Sequence, residues 1–81
     1  MPNQALSLPV KAVILTVQFQ RGELCIWYKC NPYEEGREER YFHIYGTGAQ
    51  VVPEDDNEHY IATVQQNDGA FIWHIYESPT Y

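Results

Sequence analysis

The sequence predicts an all-β domain, and three observations carry that expectation. Five runs are rich in Val, Ile, Tyr, Phe, Trp and Thr with a side-chain period of two, turn-forming residues bound each run, and no long stretch shows a 3.6-residue apolar period. The first run, Lys11 to Gln20, sets Val13, Leu15, Val17 and Phe19 on one face against Ile14, Thr16, Gln18 and Gln20. Arg21-Gly22 then predicts a tight turn. In the second run, Glu23 to Cys30, Leu24, Ile26 and Tyr28 oppose Cys25, Trp27 and Lys29, and Asn31-Pro32 ends it before a polar loop over Tyr33 to Arg37. The third, Glu38 to Tyr45, sends Arg40, Phe42 and Ile44 one way and an aromatic ladder of Tyr41, His43 and Tyr45 the other. Gly46-Thr47-Gly48 breaks the chain, Val51-Val52-Pro53 suits a short edge piece, and Glu54 to Glu58 reads as an acidic turn.

The fourth run, His59 to Gln66, places Tyr60, Ala62 and Val64 opposite His59, Ile61 and Thr63. Asn67-Asp68-Gly69 is a hairpin signal, because these residues tolerate positive φ. Ala70 to Glu77 closes the set, with Phe71, Trp73 and Ile75 opposite Ile72, His74 and Tyr76. Asn3 to Leu8 adds a short sixth strand or a loose edge before Pro9. Short connections predict an antiparallel meander of five to six strands, as a small sheet, barrel or sandwich forming one domain over residues 1–81. Several runs are apolar on both faces, so the second face needs a cover: a further layer, a ligand or a second subunit. At 81 residues burial is marginal, which favours completion by a homo-oligomer.

Five Lys and Arg against eleven Asp and Glu leave a net charge of −6. That balance argues against direct DNA or RNA binding, since affinity for the phosphate backbone comes from basic side chains, and it suits basic protein partners better. The start of the chain lacks the pattern of a signal peptide, and no stretch is apolar enough for a membrane span. Cys25 and Cys30 fall in one predicted strand, about 16 Å apart at the usual rise, too far to pair with each other. Two reduced thiols point to a cytoplasmic protein.

No spacing of His43, His59, His74 and the cysteines matches a metal site, so no metal or other cofactor is expected. The carboxylates crowd into turns and the serines lack a nucleophile elbow, which argues against an enzyme. The ligand-binding candidates are Trp27, Arg40, Tyr41, His43, Tyr45, Gly46, Thr47, Gly48, Trp73 and His74. Aromatic rings stack on nucleobases, the Gly-Thr-Gly turn can offer backbone N–H groups to an anion, and an Arg fork matches phosphate. Each has a structural counterpart: a bend between strands for the turn, an ion pair with Glu38 or Glu39 for Arg40, and a core position for Trp73. The structural readings are favoured for these three.

Pro9 with Ala12, Leu24-Cys25-Ile26-Trp27, Gly46-Thr47-Gly48 and Trp73-His74 together resemble a family of small uncharacterised proteins of phages, prophages and bacteria, known as a domain of unknown function. The resemblance runs from about Leu8 to Glu77; the longer aromatic and basic N-terminal strand usual in that family is largely lacking here. It implies a phage-type protein acting in the cytoplasm of an infected or lysogenic host, and for a small acidic protein of that origin it implies a counter to host defence. Two mechanisms follow. In the leading one an oligomer sequesters a nucleotide-derived immune signal, of the cyclic dinucleotide or ADP-ribose type, without catalysis. In the alternative, Glu54, Asp55, Asp56 and Glu58 mimic nucleic acid and occupy a host defence protein such as a CRISPR nuclease. A structural or accessory role is the third reading.

Overall fold

The computed structural model describes residues 3–46 and 58–79. Within them lie six strands and no helix: β1 (Gln4–Pro9), β2 (Val13–Gln20), β3 (Glu23–Lys29), β4 (Arg37–Tyr45), β5 (His59–Gln66) and β6 (Phe71–Ser78). The N-terminal segment is a full strand, paired with β4 along its length from Gln4 opposite Phe42 to Pro9 opposite Arg37. Pro9 sits at the strand end, where its missing N–H costs no ladder bond. A turn follows, in which Ala12 N–H donates to the Pro9 carbonyl (3.1 Å) and Lys11 takes a positive φ of 64°, so β2 begins at Val13 rather than Lys11. The edge piece expected at Val51 to Pro53 lies outside the described residues.

All pairing is antiparallel, but the order is not that of a meander. One sheet runs β1-β4-β6-β5 and the other is the β2-β3 hairpin, with no closed barrel. Only β2 with β3 and β5 with β6 are neighbours both in sequence and in a ladder. Residues 30–36 carry the chain from one sheet to the other, and residues 46–58 let β5 take the far side of β6. A two-residue turn forces adjacency; connections of this length do not. The two tight hairpins use left-handed backbone as their turns demand: Arg21 (φ 53°) and Gly22 (φ 81°) in one, Asn67 (φ 54°), Asp68 (φ 55°) and Gly69 (φ 90°) in the other.

Two bulges change which side chains turn inward. In β2 the register slips between Ile14 and Thr16. Ile14 then packs on the core with Phe19, while Val13 and Leu15, expected on the apolar face, are exposed. In β5 the slip falls between Tyr60 and Ala62. Ile61 and Ala62 both pack inward and Tyr60 turns outward, against the strict alternation expected for this strand.

The core lies between the two layers and is built from Leu8, Ala12, Val17, Phe42, Ile44, Val64 and Ile75. Val17, Phe42 and Ile75 are fully enclosed, and each such side chain contributes about 1.5–3 kcal/mol of hydrophobic stabilisation. Thus the two-stranded sheet covers one face of the four-stranded sheet. Between β1 and β3 the cover is incomplete, leaving an apolar groove of about 470 Å³.

Candidate functional site

Because Phe42 and Ile44 face the core, the alternate residues of β4, Tyr41, His43 and Tyr45, stand on the outer face of the four-stranded sheet. Residues directly opposite across an antiparallel ladder share a face, so β6 adds Tyr76 opposite His43 and His74 opposite Tyr45. From β5, Tyr60 lies opposite Tyr76 and Thr63 opposite His74. The predicted aromatic ladder is therefore wider than one strand: four tyrosines and two histidines across three strands.

Ring contacts and hydrogen bonds fix this surface. Tyr76 takes Tyr45 and Tyr60 edge-on from its two sides, each with ring centroids 5.5 Å apart. Tyr60 Oη and Thr63 Oγ1 are 2.7 Å apart, and Thr63 Oγ1 is 2.9 Å from His74 Nδ1, a relay that orients the His74 ring. Glu58, just ahead of β5, turns its carboxylate inward. It accepts from Tyr45 Oη at 3.0 Å on each oxygen and from His43 Nδ1, and its side chain is only 5% exposed. The other ring nitrogen of His43, Nε2, is buried and has no hydrogen-bond partner.

The other candidates lie elsewhere. Arg40 is on the core side of β4, where its guanidinium forks onto the Glu77 carboxylate, Nη2 reaching Oε1 at 2.8 Å and Nε bonding Oε2. Nη1 donates to the Ala12 carbonyl at 2.6 Å. Hydrogen bonding to Glu77 raises the Arg40 pKa, with the charges of Glu77 and Glu38 adding to it and burial opposing it. The ion-pair reading of Arg40 therefore describes its position, with Glu77 as main partner and Glu38 at 4.0 Å. Trp73 is also on the inner side, packed against the core, stacked on Phe71 and donating from Nε1 to Gln66 Oε1 at 3.0 Å. Gly46 lies against the Trp73 ring, and a Cβ there would fall 2.7 Å from Cζ3. Trp27 belongs to the other sheet, opposite Thr16, and is 40% exposed. Thr47, Gly48, Glu54, Asp55 and Asp56 lie outside the described residues.

The fold thus gathers Tyr41, His43, Tyr45 and His74 and separates them from Arg40, Trp73 and Trp27. Four members of the gathered face, Tyr60, Thr63, Tyr76 and Glu58, are not among the ligand candidates that the sequence suggests. The β5 bulge hides Tyr60 from strict alternation, and Glu58 reads as part of an acidic turn. Among the described residues no three His, Cys, Asp or Glu side chains gather as a metal site, and no helix is long and apolar enough to cross a membrane.

These features define a small two-layer antiparallel β protein with one aromatic, histidine-bearing sheet face. The chain belongs to the family described as Domain of unknown function (DUF7352), whose model matches residues 2–81. No curated protein and no solved structure matches it.

Proposed function

We propose that this chain is a non-enzymatic binding protein of phage type. In this reading it sequesters a nucleotide-derived defence signal, of the cyclic dinucleotide or ADP-ribose class, on the outer face of the four-stranded sheet. The observation that carries the reading is the Tyr45-Tyr76-Tyr60 row beside His74. Tyr60 is 57% exposed and offers a ring for a base to stack on, while the oriented His74 offers a hydrogen-bonding edge. Two acidic residues stand on this face: Glu58 has its oxygens engaged by His43 and Tyr45, and Glu39 accepts from Tyr41 Oη at 3.3 Å, which reduces their repulsion of a phosphate. The same engagement withdraws Glu58 from the acidic set that would mimic nucleic acid, so the inhibitor alternative rests on Glu54, Asp55, Asp56 and the net charge of −6.

Native mass spectrometry of the purified protein with cyclic dinucleotides and ADP-ribose tests this. An intact ligand retained by the protein, and lost in Tyr60→Ala while that variant stays folded, supports sequestration. A ligand of altered mass means catalysis, and no bound nucleotide at all rejects the proposal.

A further inference from the structure

We propose that β3 is the interface for a second copy of this chain, joined edge to edge and antiparallel about a two-fold axis at Ile26. Among the described residues, β3 is bonded to β2 along one edge and to nothing along the other. That free edge borders the apolar groove, whose lining includes Leu6 and Leu8 of β1 and Leu24, Ile26 and Tyr28 of β3. An uncovered strand edge beside apolar surface is a template for pairing with another strand.

The sequence of β3, Glu-Leu-Cys-Ile-Trp-Tyr-Lys, selects the occupant. When it is laid antiparallel on itself with Ile26 at the centre, Glu23 meets the partner's Lys29 and Lys29 meets the partner's Glu23. Opposite charges therefore close both ends of the ladder. Leu24 meets the partner's Tyr28 on the groove side, Ile26 meets its own copy, and Cys25 meets the partner's Trp27 on the outer side. Every pair matches apolar with apolar or acid with base, as cross-strand neighbours require. A two-fold axis makes such a patch self-complementary. A chain of net charge −6 repels its own copy over most of its surface, and these two pairs provide local attraction where the copies meet. The joined hairpins form one four-stranded layer, β2-β3 followed by its two-fold mate, that extends the cover over the groove of each copy. Tyr28, 38% exposed in the single chain, gains the partner's Leu24 beside it over the groove, and Trp27, 40% exposed, gains the partner's Cys25 beside it on the outer side.

Charge reversal tests the register, because Glu23 and Lys29 are exposed and their replacement leaves the core untouched. Sedimentation equilibrium of the full chain is expected to show a dimer. Glu23→Lys alone and Lys29→Glu alone each set like charges against each other at both ends, weakening the dimer by about tenfold or more. The double variant Glu23→Lys with Lys29→Glu restores it. An equimolar mixture of the two single variants also restores association, as a heterodimer in which the lysines of one chain face the glutamates of the other. A monomeric native chain overturns the proposal. So does a dimer indifferent to either reversal, which would place the interface elsewhere, or a double variant as weak as the singles.

Discussion

Arg40 and Glu77 form a two-point fork between β4 and β6, and the third arm of the guanidinium reaches back to the Ala12 carbonyl at the β1-β2 turn. One side chain thereby ties the four-stranded sheet to the corner where the chain leaves for the other layer. Arg40→Ala is expected to cost about 2–3 kcal/mol, because it leaves the largely enclosed Glu77 carboxylate and the Ala12 carbonyl without their donor. Arg40→Lys keeps the charge but not the fork, and about 1 kcal/mol is lost. A raised arginine pKa stabilises the fold at every pH below the ordinary guanidinium value and is lost only as pH rises through the folded one. The Arg40 contribution is therefore constant between neutral and mildly alkaline pH. Urea denaturation of wild type and Arg40→Ala at pH 7 and pH 9 is expected to give the same difference; a gap that closes by pH 9 contradicts this account.

Gly46 is required by the ring beneath it. Trp73 is held by its stack on Phe71 and its bond to Gln66, so the ring cannot move aside for a Cβ placed 2.7 Å from Cζ3. Gly46→Ala is expected to lower stability by about 1–3 kcal/mol through overpacking. In a Trp73→Leu background the same substitution should cost almost nothing. Equal costs in the two backgrounds, measured by thermal or urea unfolding, would locate the penalty in the backbone instead.

The strands were legible because a two-residue period and bounding turn residues are local signals, and the paired apolar faces of β3 and β4 already demanded a second layer. Other features depend on contacts far apart in sequence. Nothing near Arg40 in the chain points to Glu77 rather than Glu38 or Glu39, and the pairing of β1 with β4 rests on a crossover whose length does not dictate adjacency. The bulges account for the face assignments that changed. A one-residue slip sends Val13 and Leu15 outward and brings Ile14 in, and in β5 it moves Tyr60 onto the aromatic face. Tyr41, His43 and Tyr45 were legible as one face because β4 alternates without a bulge; their meeting with His74 rests on the pairing of β4 with β6, which a meander does not give.

Glu58 separates two uses of an acidic residue. As a solvated member of an acidic turn, its removal would hardly change stability. As the shared acceptor of His43 Nδ1 and Tyr45 Oη, its removal takes an acceptor from both at a place where its own side chain is only 5% exposed. Glu58→Ala is expected to destabilise the fold by about 1–3 kcal/mol, with Glu58→Gln intermediate because the amide keeps one acceptor oxygen. Chemical denaturation decides between the two uses, and a change within about 0.5 kcal/mol would return Glu58 to the surface.

The β2-β3 turn predicts a change of opposite sign. Both central residues are left-handed, Gly22 at φ 81° and Arg21 at φ 53°, yet only the glycine is free of the Cβ penalty in that region. Asn tolerates this conformation better than Arg, and Asn-Gly is the preferred pair for a type I′ turn between twisted strands. Arg21 is exposed, so little packing is lost when it is replaced. Arg21→Asn is therefore expected to stabilise the protein by about 0.5–1 kcal/mol, seen as a higher urea midpoint at unchanged slope. An unchanged or lower midpoint would mean that the Arg21 side chain contributes more to the native state than its backbone angle costs.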